Sequence, residues 1–387
     1  MFSCLQLLCQ PSPLTGIVER LSLCNSLMFI FLAVLSCLVV TFTVLPETRF
    51  THWVVRGLDF PRLQIAVLCL AVLLALIAFG DFSDVSYWVC LLSVSGALVW
   101  QLKWVLPYTP LWKKEVKSTG NPGEGNQVSI ITANVLTPNH DSQKLISLVR
   151  EYRPDILVTL ESDTWWEQEL DVLEDEMPHT LKCPLDNLYG MHLYSRLPLS
   201  SSSIEYLVKE DIPSMHTCVE LKSGALVRMH FMHPEPPSPT ESDVSSPRDA
   251  ELAVLARSIA DSDDAVIVTG DLNDVAWSPT TRLFRHISGL LDPRIGRGAF
   301  NTFHADIPLL RWPLDHVFHS HHFTLGKLVR LPHIGSDHFA LYTELNYTPQ
   351  KGKGQESDSA DQEDKERAAE AIEREDVEKQ DVPNPMG

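Results

Sequence analysis

Cysteine is scarce in the last two thirds of this 387-residue chain. After residue 127 the sequence has only Cys183 and Cys218, and neither belongs to a Cys-x-x-Cys pair. A zinc site built on paired cysteines is therefore not indicated, and a disulfide scaffold is excluded. With 18 glycines and no internal repeat, the composition also excludes collagen-like and coiled-coil chains.

Charge is missing from three stretches of the first third. Residues 21–46, 63–80 and 85–102 contain no Asp, Glu, Lys or Arg. Each stretch is long enough to cross a hydrocarbon core, which takes roughly 17–25 apolar residues. A signal peptide is less consistent with the leader, where Glu19 stands beside the only arginine, Arg20. We therefore predict a membrane anchor over residues 1–105, with transmembrane helices at about 21–45, 63–80 and 85–102.

Lysine and arginine are distributed unequally around these stretches. One side, formed by the link before the second stretch and the segment after the third, has seven: Arg49, Arg56, Arg62, Lys103, Lys113, Lys114 and Lys117. The opposite side has Arg20. Because basic residues concentrate on the cytoplasmic side, we expect the N-terminus outside and the large C-terminal part in the cytoplasm.

Basic clusters are missing from the rest of the chain. Residues 128–347 hold 17 Lys and Arg against 31 Asp and Glu, a net charge of −14. Such a body repels long polyanions, which argues against a protein that coats nucleic acid by electrostatics. The Pro-, Gly- and Asn-containing residues 106–127 indicate a linker. Residues 348–387 have few large apolar side chains, so we predict a disordered acidic tail that is at most transiently helical.

Short apolar runs alternate with helical patterns between residues 128 and 347. Strands are predicted at 128–134, 155–161, 188–195, 216–221, 225–232, 265–270, 314–319 and 338–345. Helices are predicted at 145–152, 249–260 and 279–287. Strands mixed with helices in one unit of about 220 residues predict an α/β domain layered around a buried sheet.

Polar side chains follow several of these predicted strands, where an α/β sheet usually presents its site. They are Asn134, Glu161, His233, Asp271, Asn273, Asp315, Asp337 and His338. Each has an ordinary explanation when taken alone, such as a helix cap or a turn. The recurrence of the arrangement at strand after strand favours a shared site.

The segments around these residues resemble the endonuclease/exonuclease/phosphatase superfamily. In chain order they are IITANV (130–135), LVTLES (157–162), GMHLYSRLPL (190–199), FMHPEP (231–236), TGDLND (269–274), PLDHVF (313–318) and GSDHFAL (335–341). The whole chain further resembles bacterial membrane-anchored members. The resemblance implies a DNase I-like four-layer α/β sandwich over 128–347, preceded by three transmembrane helices, in a multi-pass protein of the bacterial inner membrane.

The resemblance also implies site roles. Glu161 would be the main ligand of a catalytic Mg²⁺, with Mn²⁺ as an alternative. Asn134, counted with the metal group, would orient Glu161 or hold the phosphate, and Asp337 would be a second metal ligand. Asp271 would orient or deprotonate the attacking water, and Asn273 would hold that water and a phosphate oxygen. His338, steered by Asp315, would stabilise developing charge. His233 would act as a leaving-group acid or phosphate contact.

Some positions have no secure counterpart in the superfamily. Tyr189 and His192 are both candidates for the tyrosine of abasic-site endonucleases. Arg311 and Trp277 are candidates for substrate contact at the rim. The histidines after Asp315, namely His316, His319, His321 and His322, are interpreted as a solvated loop rather than a second metal site.

Three functions are compatible with these residues. A Mg²⁺-dependent phosphodiesterase attacking by in-line water, including nucleases, agrees with the resemblance but less well with the acidic body. A phospholipid-headgroup or inositol-phosphate phosphoesterase agrees with the anchor, which holds the site near a bilayer. A non-catalytic membrane scaffold is disfavoured by the complete set of polar residues. The expected partners are a phosphate-ester substrate and the lipid bilayer, and no protein partner is indicated.

Overall fold

A computed structural model describes residues 13–119, 123, 125–260 and 262–386. The predicted start of the membrane anchor, residues 1–12, lies outside the described residues. The chain forms two compact units. One comprises Met1–Thr48 with Pro61–Lys103, and the other Arg49–Phe60 with Trp104–Gly387.

The regular elements are as follows. The helices are α1 (Pro13–Val44), α2 (Trp53–Arg56), α3 (Arg62–Phe79), α4 (Val85–Val105), α5 (Ser142–Tyr152), α6 (Thr164–Leu170), α7 (Ser246–Ala260), α8 (Pro279–Ser288), α9 (Pro349–Gly352) and α10 (Gln362–Arg374). The strands are β1 (Gln127–Asn134), β2 (Ile156–Leu160), β3 (His179–Cys183), β4 (Met191–Ser195), β5 (Leu199–Glu205), β6 (Ser214–Glu220), β7 (Leu226–Met232), β8 (Val266–Asp271), β9 (Asp315–His319), β10 (Phe323–Arg330) and β11 (Leu341–Tyr347).

The first unit contains the predicted spans. Of the described helices, three are long and apolar enough to cross a membrane, over Asn25–Glu47, Arg62–Phe79 and Val85–Tyr108. Two polar side chains inside this unit bond to each other: the Gln101 amide donates to the Thr43 hydroxyl over 3.0 Å. Pairing of this kind satisfies groups that would otherwise be costly in an apolar environment.

The second unit is built on two sheets. In the part of the chain that the structure describes, a six-stranded sheet has the order β10-β11-β1-β2-β4-β3 and a five-stranded sheet has the order β5-β6-β7-β8-β9. β1 runs parallel to β2 and antiparallel to β11, while β8 runs parallel to β7 and antiparallel to β9. A hydrogen bond of 2.7 Å between the hydroxyls of Thr132 on β1 and Thr269 on β8 joins the central strands of the two sheets.

Helices cover the outer faces of both sheets. Apolar residues of α5 and α6 pack with the outward side chains of the first sheet, and those of α7 and α8 pack with the outward side chains of the second. A third apolar cluster, with side chains from both sheets, fills the space between them. The result is the predicted four-layer α/β sandwich, and the predicted fold class is confirmed.

The predicted linker is part of the second unit rather than a free connection. Val116 is fully buried, and the Tyr108 hydroxyl donates to the Ala276 carbonyl over 2.8 Å. Thr119 donates from its backbone N–H to the Leu325 carbonyl, while Glu115 pairs with Arg285. The linker prediction is therefore wrong for the described residues up to 119. It followed from the polar composition of 106–127, which gives no sign of these few contacts.

The acidic tail also differs from the prediction. Residues Gln362–Arg374 form α10, and Ala368 and Ile372 on it are buried against α7 together with Val377 and Val382. The physical reason lies in α7, which is apolar on nearly every side (Ala250, Leu252, Ala253, Val254, Leu255, Ala256 and Ile259). A helix that is apolar all round must be covered on its outer face, and α10 covers it here.

Candidate active site

The site lies where the central strands of the two sheets end. Asn134 is the last residue of β1, Glu161 follows β2, and Asp271 is the last residue of β8. Asp315 begins β9 and stands opposite Asp271 in the antiparallel register. Because the sheets are stacked and joined at Thr132 and Thr269, these side chains meet at one edge of the sandwich.

Asn134 connects the two sheets at this edge. Its side-chain N–H groups donate to Glu161 Oε1 over 2.7 Å and to Asp271 Oδ2 over 3.2 Å. Its Oδ1 accepts from the Leu136 backbone N–H over 3.1 Å. Both functions of the amide are therefore in use. In this arrangement Asn134 orients the carboxylates, which is one of the roles expected for it, and a contact of its oxygen with a metal stays a prediction.

His338 lies between two carboxylates. Its Nδ1 is 2.8 Å from Asp315 Oδ2, and its Nε2 is 3.4 Å from Asp271 Oδ2. Burial alone would lower the pKa of His338, but the charges of Asp271 and Asp315 outweigh burial and raise the pKa to about 10. The imidazole is therefore a cation at neutral pH, aimed at the carboxylate that ends β8.

Glu161 has the opposite environment. Burial raises its pKa to about 8, although the hydrogen bond from Asn134 and the charge of His338 oppose the shift. Among the described residues, Glu161 Oε2 has no hydrogen-bond partner despite being buried. Glu161 also has a φ of 57°, a left-handed conformation that is uncommon outside glycine and is concentrated at functional sites.

The oxygen-rich side of this cluster fits a hard divalent cation. Glu161 offers a buried oxygen without a partner, and the Asp337 carboxylate is close enough to raise the pKa of both Glu161 and His338. Carboxylate oxygens are the ligands that Mg²⁺ prefers, and one or two of them suffice because the ion retains waters. Asp271, Asp315 and His338 also lie close enough together to hold an ion, but the direct hydrogen bond from His338 to Asp315 occupies two of them.

His233 follows β7 at the same edge and is almost fully buried. Burial lowers its pKa to about 4, so the imidazole is neutral, and its Nδ1 has no partner within the described part of the chain. A neutral imidazole can donate a hydrogen bond to a phosphate, whereas the expected role of leaving-group acid needs the cation. The structure therefore favours the phosphate contact over the acid.

Of the two candidates for a tyrosine position, Tyr189 is the one near His233. The two rings are 5.2 Å apart, and the Tyr189 hydroxyl donates to the Glu241 carboxylate. His192 instead lies inside β4, where its Nδ1 is 2.6 Å from the Ser162 hydroxyl. Burial lowers the pKa of His192 to about 4.

A glycine at the end of β8 allows the strands to approach closely. A Cβ on Gly270 would lie 1.9 Å from the Met232 carbonyl oxygen, and the residue has a φ of 151°. Met232 and Gly270 each precede a site residue, His233 and Asp271. The Gly-Asp order in the TGDLND segment is thus required by the packing of β7 on β8.

Three predicted contact residues have structural partners. The Trp277 indole N–H donates to the Asp59 carbonyl over 2.8 Å, and the ring is buried, which corrects its assignment to the rim. The Arg311 guanidinium donates to the carbonyls of the loop after Phe303 and stacks on Phe339. Asn273 donates its side-chain N–H to the Pro234 carbonyl and its backbone N–H to Asp271 Oδ1.

The predicted solvated histidine loop is also corrected. His316 and His319 belong to β9 and are fully buried, and His322 is nearly so. His316 Nε2 is 2.9 Å from the Asp274 carbonyl, and its Nδ1 is 2.6 Å from an Arg294 nitrogen. His319 Nδ1 is 2.9 Å from the Ser320 carbonyl, whereas its Nε2 has no hydrogen-bond partner among the described residues.

Two buried arginines behind the site were not anticipated from the sequence. Arg248 donates to the Asn273 carbonyl over 2.9 Å and pairs with Asp249 and Asp274. Arg294 donates to the Asp315 carbonyl over 3.2 Å and pairs with Asp292. From α7 and from the loop before β9 they fix the backbone at Asn273 and Asp315, two of the candidate site residues. An Asp two residues before Arg294 is the only local signal.

The family model of the endonuclease/exonuclease/phosphatase family matches residues 131–338, which is more than half of the chain. The chain belongs to this family. Its members hydrolyse phosphate esters with the help of a metal ion, and the chain is an enzyme of that class. The matched range contains every site residue described above.

The chain is also similar to solved structures with which it shares little sequence. TDP2 from D. rerio, complexed with single strand DNA product, is 19% identical, covers 57% of this chain and 99% of its own, and has a TM-score of 0.47. The human Nocturnin catalytic domain is 17% identical, with 58% and 95% covered and a TM-score of 0.48. An endonuclease/exonuclease/phosphatase from Beutenbergia cavernae is 17% identical, with 58% and 72% covered and a TM-score of 0.46. No curated protein matches the chain.

Proposed function

We propose that this member of the endonuclease/exonuclease/phosphatase family is a membrane-anchored, Mg²⁺-dependent phosphodiesterase. The observation that carries the proposal is the pairing of two unlike environments at one edge of the sandwich. His338 is a buried cation between Asp271 and Asp315, and Glu161 presents an unpartnered buried oxygen beside it. Because their environments differ, His338 can contact the phosphate while Glu161 holds the metal.

The side chains then divide the work of in-line hydrolysis. Asp271, with its Oδ1 fixed by the Asn273 N–H, accepts the proton of the attacking water. His338 donates a hydrogen bond from Nε2 to a phosphate oxygen as negative charge develops, while Asp315 holds its Nδ1–H. Neutral His233 adds a second hydrogen bond. As the water oxygen bonds to phosphorus, the ester P–O bond opposite it breaks, and the leaving oxygen takes its proton from solvent. Glu161 and Asp337 would hold a divalent cation, which would neutralise phosphate charge.

The test uses the full chain in detergent with bis(p-nitrophenyl) phosphate as a generic diester. We expect Mg²⁺-dependent hydrolysis in the wild type. Glu161→Gln keeps the shape but removes the ligand charge, so we expect the Mg²⁺ concentration for half-maximal rate to rise at least about tenfold. The matched control is Glu151→Gln, an exposed position on α5. Equal Mg²⁺ dependence in both variants would contradict the proposal, and no activity in the wild type with any divalent cation would favour a scaffold.

A lipid-linked phosphate ester is a second candidate substrate, and one observation favours it. The Phe303 ring lies 4.9 Å from the His338 ring, and the loop after it exposes Ile307, Leu309 and Leu310 to 43%, 84% and 43%. Phe303 thus ties the start of this loop to His338, and exposed apolar side chains farther along such a loop are typical of a surface that meets an amphiphile. The acidic residues Glu235 and Glu241 near Tyr189 add no attraction for a polyanion.

Vesicles distinguish this candidate from a soluble diester. Leu309→Ser with Leu310→Ser would lower hydrolysis of a phospholipid in vesicles several-fold and leave bis(p-nitrophenyl) phosphate hydrolysis unchanged, if the loop engages the lipid. Equal loss on both substrates would indicate general damage to the site. Unchanged hydrolysis of both substrates would show that the loop does not bind substrate.

A further inference from the structure

A second cluster of metal-ligating side chains lies away from the active site. The turn between β9 and β10 places His321 and His322 opposite Asp263, which precedes β8. His321 Nε2 is 3.9 Å and His322 Nε2 is 3.8 Å from the same oxygen, Asp263 Oδ1. The two imidazole rings are 4.1 Å apart. Two nitrogens and one oxygen thus face a common point.

The distances fit ligands around an ion better than direct hydrogen bonds. At 3.8 and 3.9 Å the imidazole nitrogens are too far from the carboxylate for a hydrogen bond, which requires about 3.2 Å or less. Tetrahedral ligands with bonds of about 2.0–2.1 Å lie roughly 3.4 Å from one another. All three ligand atoms are within 4.8 Å of each other, so their separations need to shorten by about 0.4 to 1.4 Å to reach that spacing.

The surrounding structure holds the two histidines in place. His322 Nδ1 is 3.0 Å from the Ser320 hydroxyl, which also accepts the Val266 backbone N–H over 3.0 Å. This contact at Nδ1 orients the ring so that His322 Nε2 faces Asp263. A hydrogen bond at the other ring nitrogen orients metal-binding imidazoles in the same way. The His322 carbonyl accepts from the Thr348 N–H, and the His321 carbonyl accepts from the Gln355 amide, so the turn is fixed from the segment after β11.

The cluster is separate from the catalytic edge. In the β8–β9 ladder, Asp271 pairs with Asp315 at one end and Ile267 pairs with His319 at the other. Four residue steps along an antiparallel strand span ~14 Å. Asp263 and His321 lie beyond that far end, so they are farther still from the catalytic carboxylates.

We propose that Asp263, His321 and His322 bind a divalent transition-metal ion of the Zn²⁺ class, with water in the remaining position. Two imidazoles and one carboxylate suit Zn²⁺, whereas Mg²⁺ prefers oxygen ligands, so the two sites of the chain differ in metal preference. The ion joins the connection between α7 and β8 to the turn between β9 and β10. It is structural, and hydrolysis at the other edge does not depend on it.

The test measures Zn²⁺ and Co²⁺ binding to the full chain in detergent, with Mg²⁺ in excess to occupy the catalytic site. We expect the wild type to bind one more Zn²⁺ per chain than His321→Ala or Asp263→Asn. In each variant, the affinity of this site for Zn²⁺ should fall at least about tenfold. Co²⁺ should give the visible absorption of a tetrahedral ion in the wild type only. Both side chains are exposed, 41% and 90%, so these variants fold.

The matched control is His333→Ala. His333 Nε2 lies 3.5 Å from Asp306 Oδ1, a similarly exposed pair, but with only one imidazole. We expect its Zn²⁺ stoichiometry and Co²⁺ spectrum to equal those of the wild type. Identical Zn²⁺ binding by the wild type, His321→Ala and Asp263→Asn would overturn the proposal. Mg²⁺-dependent hydrolysis should be equal in all four proteins, so failure here is separate from failure of the catalytic assignment.

Discussion

His338 obtains its charge from its neighbours. Burial acts against an imidazolium, and the carboxylates of Asp315 and Asp271 reverse that effect and raise the pKa to about 10. The group is therefore a cation over the whole neutral range and loses its proton only as the pH rises toward 10. A hydrogen-bond donor of this kind stabilises developing charge on phosphate without first acquiring a proton.

We predict that Asp315→Asn lowers the pKa of His338, because the variant removes one of the two opposing carboxylates. The basic limb of the rate–pH profile should move to lower pH, and the rate at neutral pH should fall by about 10²-fold or more. The measurement is Mg²⁺-dependent hydrolysis of a diester between pH 6 and 10. Asp306→Asn, at an exposed aspartate, serves as control. A basic limb at the same pH in Asp315→Asn and the wild type would refute the role of Asp315.

Glu251 is a buried carboxyl that the mechanism does not use. It lies on α7, is 4% exposed, and has an Oε1 without a partner among the described residues. Burial raises its pKa to about 8. Between about pH 4.5 and 8 the unfolded chain releases this proton while the folded protein retains it. Folding stability therefore falls as the pH rises through that window, by up to about 1.4 kcal/mol per pH unit.

We predict that Glu251→Gln removes this dependence. The variant should gain stability relative to the wild type as the pH increases from 5 to 8, by about 1–3 kcal/mol at pH 8, because the neutral amide has no ionisation to suppress. Thermal unfolding of the full chain in detergent at several pH values measures the difference. A difference that is constant over this range would show that Glu251 ionises freely in the folded protein.

Single residues were predictable where their chemistry was visible in the strand pattern. Glu161, Asp271, Asp315 and His338 each follow or begin an apolar run, and the structure brings them to one edge. What a side chain bonds to was not predictable. The Trp277 indole N–H donates to the carbonyl of Asp59, more than 200 positions away, and only the packed structure shows that contact.

At the scale of elements, the strands absent from the prediction are all at sheet edges. β10 and β3 are the two edges of the first sheet, and β5 is an edge of the second. An edge strand is only partly buried and often polar, as the serines of β5 show, so hydrophobic alternation is weak there. Central strands such as β1 and β8 are buried throughout and were predicted within a residue or two.

α10 supplies an element-scale prediction. Ile372 is 8% exposed and packs against α7, so Ile372→Ala should cost about 1–3 kcal/mol of stability, an amount limited by the free energy with which α10 docks. Glu373→Ala, at the exposed neighbouring position, is the matched control. Denaturant unfolding of both variants gives the comparison. A disordered tail would make the two variants equally harmless.

At the scale of the whole molecule, the link between α1 and α3 belongs to the same compact unit as the catalytic residues. The Trp53 N–H donates to the Asp243 carbonyl, and the Ser245 N–H donates to the Thr51 carbonyl. We therefore predict that the link and the proposed catalytic residues lie on one side of the membrane. Two apolar helices, α3 and α4, separate them in sequence, and two crossings would return the chain to that side. This agrees with the positive charges predicted to face the cytoplasm.

A labelling experiment tests this topology. In a chain whose native cysteines are replaced by alanine, we introduce Val54→Cys in the link, Phe82→Cys between α3 and α4, and Leu111→Cys after α4, which are 48%, 47% and 88% exposed. An impermeant maleimide should label Phe82→Cys in intact cells, and should label the other two only after the cells are broken, because one crossing, α3 or α4, separates position 82 from each of them. If Val54→Cys and Leu111→Cys reacted in intact cells and Phe82→Cys did not, the charge-based orientation would be reversed while the three crossings would stand. If all three reacted alike, α3 and α4 would not cross the bilayer at all, and the catalytic edge would have to reach its substrate without a membrane anchor of this design.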